Sequence, residues 1–181
     1  MAKFVQLKSL AKNTVGRSDD FLLQQMEMLL DIHAQLDAKI SEVEGLIQEC
    51  IMGIDPPILT IPGIGELTAA VILSEYGDIN KFDGPAQMLS FAGLEPGYYQ
   101  SGQAEHGGHM VKHGSSHRRY ALMNACLPLI TYEPVFAEYY AKKRTEGKPH
   151  RVALTHVAKK LLRVIYTLQT KNLSYDPTMI R

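Results

Sequence analysis

From Leu22 onward the apolar side chains fall at Leu22, Met26, Leu29, His33, Leu36, Ile40, Val43, Ile47 and Cys50, in alternating steps of four and three with His33 the single polar member. A 3.5-residue repeat sustained over about four heptads lays one narrow apolar stripe along a helix, the pattern of a coiled coil. Leu22, Leu29, Leu36, Val43 and Cys50 take d positions, and Met26, His33, Ile40 and Ile47 take a positions. Ser18, ahead of Asp19 and Asp20, supplies an N-cap and negative charge for the first turn. Asp55-Pro56-Pro57 ends the helix, because the prolines remove donors and push Asp55 out of the α region. A coiled-coil helix is therefore predicted over 18–54, an arm that pairs with a partner helix taken to be a second copy. The alternative is an amphipathic helix folded back on its own domain. His33 is read as a register-setting polar residue rather than a ligand. Residues 1–17 read as a weakly ordered leader.

A chain of 181 residues with 45% hydrophobic content suits one domain plus such an arm and excludes wholesale disorder. The formal net charge is zero, but its distribution is not even. Residues 1–60 hold five basic and nine acidic groups, residues 61–100 one and five, and residues 101–181 thirteen and five. The C-terminal part is thus suited to a polyanion. Two cysteines, Cys50 and Cys126, are too few for a disulfide framework, and the N-terminus lacks the pattern of a secretory signal, so a cytoplasmic setting is expected. The most apolar stretch, 58–73, is interrupted by Pro62, Gly63, Gly65 and Glu66, so no membrane partner is expected.

Beyond Pro57 the pattern stays helical, and the predicted class is all-α: the long arm, then a compact helical domain over 55–181. Leu67 to Tyr76 is a helix closed by Gly77, and Pro85 opens a short one reaching Ala92. Ser115 or Ser116 caps a helix through Leu122 toward Ile130, and Thr155 to Leu168 is the last. Residues 96–114 read as one long irregular stretch, the kind of loop that often carries function.

Two places carry chemistry. Ile61-Pro62-Gly63-Ile64-Gly65, within 58–76, resembles a helix-hairpin-helix: Gly63 and Gly65 allow a tight turn, and their amides at the start of the next helix can face a phosphate. Such a module grips the nucleic-acid backbone rather than base edges. Its bland counterpart is a connection used only for packing, favoured by Glu66 beside the turn. The second place, 93–114, is a loop with Gly93-Leu94-Glu95-Pro96, Ser101-Gly102 and Lys112-His113-Gly114, followed by Arg118 and Arg119.

In order and spacing, Ile-Pro-Gly-Ile-Gly, Gly-Leu-x-Pro, Ser-Gly and Lys-x-Gly with a downstream arginine resemble the C-terminal domain of the insertion-sequence 110/116/902 transposases, across roughly 58–125. The heptad helix also stands where that family has a coiled coil. The resemblance implies a serine-bearing half of a recombinase. In the family this half works with an N-terminal RuvC-like domain whose four acidic residues bind magnesium, and a noncoding guide RNA pairs with the DNA. Nothing in this chain resembles the acidic half, so a fragment or a truncated relic is expected, with no cofactor of its own.

Matched residue by residue, the family's nucleophile falls on Ser101. A serine hydroxyl attacking a phosphodiester conserves the bond energy in a phosphoserine link if its proton is removed and cations stabilise the developing charge. Lys112 and Arg119 are the candidate cations, with Arg118 and the amides of Gly63 and Gly65 as further nucleic-acid contacts. The proton acceptor is not visible in this chain, and the resemblance assigns it to the metal site of the other half. Two departures stand out: Ser115 occupies a place where the family often has asparagine, and Arg118 one where it often has an apolar residue.

Rival assignments are weaker. Ser115 and Ser116 suit a helix cap better than a nucleophile. Tyr98 and Tyr99 lack the arginines of tyrosine recombinases around them. His106, His109, His113 and His117 invite a zinc site, but Gly107, Gly108 and Gly114 interrupt any helix that would gather them, so no metal is assigned. The run Lys142, Lys143, Arg144, Lys148, Arg151, Lys159, Lys160 and Arg163 is either a solvated helix face or a phosphate track. The function expected is DNA recombination in transposition, with a noncatalytic DNA-binding and dimerisation module as the alternative.

Overall fold

In a computed structural model of the chain, the described residues are 6, 9–12, 16, 19–101, 104–110 and 114–180, with backbone alone at 96–101, 104–110, 179 and 180. The chain divides into two units, Met1–Val43 and Glu44–Arg181.

The first unit holds most of helix α1, Asp20–Ile54, whose 35 residues span about 52 Å at 1.5 Å each. The expected cap, Ser18, lies outside the described residues, and the Asp19 carboxylate accepts the Phe21 amide at 3.0 Å. Along the predicted seam Leu22, Met26, Leu29, Leu36, Ile40 and Val43 are each more than half exposed. His33 pairs with Asp37 one turn on, at 3.0 Å, and Lys39 with Glu42 at 2.6 Å. The helix ends where it was expected to. Asp55 takes φ 47° ahead of Pro56 and leaves the right-handed α region.

The second unit is built around its last long helix. After a 3₁₀ turn at Pro57–Thr60 come α2 at Glu66–Tyr76, a 3₁₀ turn at Ile79–Lys81 and α3 at Pro85–Phe91. Then follow α4 at Ser116–Tyr132, α5 at Pro134–Thr145, α6 at His150–Lys171 and a 3₁₀ turn at Pro177–Ile180. Helix α6 buries Leu154, Val157, Ala158, Leu161, Ile165 and Leu168, an i, i+3, i+4 stripe that packs on α3, α4 and α5. Each of these leucines and isoleucines withdraws enough apolar surface from water to contribute roughly 2 kcal/mol. Ile58, Ile61, Ile72, Met88, Leu94, Leu122, Leu129 and Phe136 complete the core.

The fold is all-α, with one addition. Between α3 and α4 the stretch predicted to be irregular forms an antiparallel ribbon, β1 at Pro96–Ser101 and β2 at Ala104–Met110. Pro96 pairs with Met110, Tyr98 with Gly107, Tyr99 with His106, Gln100 with Glu105 and Ser101 with Ala104, and a register irregularity falls between Pro96 and Tyr98. No helix among the described residues is long and apolar enough to cross a membrane.

Candidate functional site

At the entrance to the domain the two glycines of the turn play different parts. Gly63 has φ +89°, and a Cβ there would stand 3.0 Å from the Pro128 carbonyl carbon of α4, so both conformation and packing demand glycine. Gly65 is extended at φ −87°, ψ 172°, and a Cβ on it would meet nothing within 4 Å. It is the N-cap of α2 and offers no side-chain acceptor, so the first-turn amides of that helix remain suited to an anion. The element ahead of the turn is a four-residue 3₁₀ turn rather than an α-helix. The turn packs closely on α4 at Gly63.

The arginines of α4 correct one expectation. Arg118 does not face a phosphate: it is 6% exposed. Its guanidinium donates to the Phe91 carbonyl at 2.6 Å and to the Glu75 carbonyl at 2.9 and 3.2 Å. The guanidinium also lies 3.7 Å from the centroid of the Phe91 ring and 3.7 Å from a carboxylate oxygen of Glu75. Its Nε, Nη1 and Nη2 thus each donate to the ends of α2 and α3. Arg119, half-buried, donates to the Gly114 carbonyl at 3.2 Å and to the Ala92 carbonyl at 3.5 Å. Ala92 and Gly114 bracket the ribbon. Gly114 has φ +85°, and a Cβ there would lie 2.8 Å from the Phe91 carbonyl oxygen. The Ser115 hydroxyl accepts the Arg118 amide at 3.3 Å, as its role as a cap requires.

The two arginines therefore fasten the foot of the ribbon to the start of α4. Ser101 lies at the other end. It closes β1, paired with Ala104, five residue steps or roughly 17 Å along the strand from Pro96. Ser101 and the arginines belong to one substructure, but the structure does not bring them together. Lys112 and His113 lie outside the described residues. Tyr98, Tyr99, His106 and His109 are strand residues and His117 stands in the first turn of α4, so no helix spans the four histidines. Among the described residues no group of three or more His, Cys, Asp or Glu side chains is placed to hold a metal ion.

The basic run divides. Lys143 is paired with Glu146 at 2.8 Å, and Arg144 donates to the Lys148 carbonyl at 2.9 Å. Lys159, Lys160 and Arg163 instead line a concavity of about 430 Å³ with Tyr139, His156 and Tyr175. Burial is the main cause that lowers the pKa of His156, with Lys143, Lys159 and Lys148 adding to it against Glu146. Burial likewise lowers Lys159 and Lys160. It also raises the Tyr175 phenol, with the Glu133 carboxylate adding to the effect. Tyr139, His156 and Tyr175 were not singled out in the sequence. The usable signal was the 156, 159/160, 163 spacing, which places the basic groups on one helical face.

Parts of this sequence are similar to known proteins. Residues 55–141 match the model of the transposase IS116/IS110/IS902 family. The chain is 28% identical over 151 residues to the uncharacterized 43.6 kDa protein of insertion element IS110 from Streptomyces coelicolor, covering 83% of this chain and 37% of that protein. It is 30% identical over 121 residues to the pilin gene-inverting protein of Moraxella bovis, covering 66% of this chain and 38% of that one. It is 30% identical over 149 residues to the uncharacterized 42 kDa protein of insertion element IS900 from Mycobacterium paratuberculosis, covering 78% and 36%. Residues 55–141 belong to the transposase IS116/IS110/IS902 family. The chain spans less than two fifths of the length of these three relatives.

Proposed function

We propose that this chain is the serine-bearing part of a DNA transposase and that Ser101 is its nucleophile. The observation that carries the reading is the place of Ser101: the last paired residue of a ribbon whose foot is fastened by Arg118 and Arg119, inside the matched family domain. A ribbon with a serine at its last paired position is suited to reach a phosphodiester held elsewhere. The serine Oγ forms a bond to phosphorus, one sugar oxygen leaves with the electron pair of the broken bond, and the hydroxyl proton passes to an acceptor. Reversal on a second DNA end restores the phosphodiester. Arg118 and Arg119 act as positioning residues in this scheme, while Lys112 and the amides near Gly63 and Gly65 remain the candidate phosphate contacts of the domain.

The proton acceptor and the magnesium expected of the full-length family belong to a RuvC-like half. DNA is the partner, with a guide RNA in the full-length protein, and two copies join through the α1 seam, where Leu22, Met26, Leu29, Leu36, Ile40 and Val43 stand more than half exposed. The test joins this domain to a RuvC-like half of the family and compares Ser101→Ala with the parent for strand exchange. Abolished exchange is expected. Undiminished exchange would leave the second reading, a DNA-binding and dimerisation module, which the exposed seam and the basic C-terminal surface favour in its place.

A further inference from the structure

The concavity on α6 has a composition that the serine scheme does not use. His156, Lys159, Lys160 and Arg163 stack along one face of that helix, and the three cations among them repel one another. Glu95 acts on Lys159 and Glu138 on Lys160 through space rather than by direct pairing. Among the described residues no carboxylate makes a salt bridge with Lys159, Lys160 or Arg163. The acid in the concavity, Asp176, has its carboxylate held by the Thr178 amide and hydroxyl, both at 2.8 Å. An anion in this space would balance its cations.

Its shape narrows the anion. About 430 Å³ lies within the range of pockets that enclose a single small ligand and is far too narrow for a duplex. Opposite the cations stand Tyr139, whose ring centroid is 4.9 Å from the Lys160 ammonium, and Tyr175, with Val164 and Leu168 as an apolar floor. Cations beside aromatic and apolar surface are the means by which proteins hold unpaired nucleic acid. Glu95, the residue directly before β1, lies within electrostatic reach of Lys159.

We propose that this concavity seats one nucleotide of an unpaired DNA strand, with its phosphate on Lys159, Lys160 and Arg163 and its sugar and base against Tyr139, Tyr175 and the apolar floor. The inference rests on the reading of DNA as the partner, but not on the chemistry of Ser101.

The test is fluorescence anisotropy of a labelled 12-nucleotide thymidine oligomer with the 181-residue chain at low salt. The double variant Lys159→Gln/Arg163→Gln is expected to bind about tenfold more weakly, and Lys142→Gln/Arg151→Gln, which removes two cations outside the concavity, less than about twofold. Lys159→Arg, which keeps the charge, should bind like the parent where Lys159→Gln does not, and circular dichroism of each variant shows whether the fold is kept. A 12-base-pair duplex should respond to the two double variants alike. Equal losses of single-stranded binding from both double variants would overturn the proposal. So would a uridine oligomer bound tenfold more tightly than the DNA, or displacement by millimolar inorganic phosphate alone. A strand-exchange assay in which Ser101→Ala is silent defeats the serine scheme and leaves this result standing, so the two failures can be told apart.

Discussion

At the residue scale, the weight of the site's architecture falls on Arg118, whose guanidinium ties three segments together. Arg118→Gln leaves the Phe91 and Glu75 carbonyls without their donors, and Arg118→Lys loses the planar fork and the stacking on Phe91. Each is expected to lower stability by about 2–4 kcal/mol in urea titration, with the lysine variant at the lower end. A change below about 0.5 kcal/mol would show that Arg118 is not the fastening described. The two hairpin glycines make a matched pair: Gly63→Ala is expected to lose about 2 kcal/mol, from a left-handed φ and contact with the Pro128 backbone, and Gly65→Ala almost nothing. His156 gives a pH signature. Its folded pKa lies below the ordinary 6.5 because burial and the surrounding lysines disfavour the charged ring. The unfolded chain therefore takes up the proton first, and this part of the stability is whole above about pH 6.5 and declines as pH falls toward the folded pKa. His156→Gln should flatten that share of the decline in melting temperature between pH 7.5 and 5.5. An unchanged slope would mean the ring titrates alike in both states.

At the element scale, periodicity made α1, α2 and α6 legible because each carries an apolar stripe or a clear cap. The observed α6 is nevertheless longer at both ends than the 155–168 read from it. Helix α5 escaped notice because its polar and basic residues dominate the pattern. Its start was written in Glu133-Pro134, where the Glu133 carboxylate accepts the Val135 amide and proline occupies the first turn. The ribbon escaped for the opposite reason: Gly97, Gly102, Gly107 and Gly108 read as loop, and no alternation of apolar residues marks either strand. Arg118 was misassigned because nothing local distinguishes a surface arginine from one whose partners lie 27 and 43 residues away. The α1 seam makes its own prediction: light scattering should show a dimer or higher state that Leu29→Asp with Leu36→Asp dissociates, while a monomer at high concentration in the parent chain would contradict the pairing.

At the scale of the whole molecule, neutrality conceals a chain whose last 81 residues hold thirteen basic and five acidic groups. Binding to DNA should weaken steeply with salt, and three phosphate-facing cations on α6 should account for about 2 of the logarithmic slope on a single strand. In the function proposed, the basic face holds a strand and the ribbon carries the serine that attacks it. The measurement that bears most directly on this account is the trapping of a covalent intermediate. The domain, joined to a RuvC-like half, would be incubated with end-labelled DNA, denatured and digested to peptides. Label retained on the peptide that contains Ser101, and lost in Ser101→Ala, is the result the account predicts. Label carried by another residue, or an adduct that persists undiminished in Ser101→Ala, would contradict it.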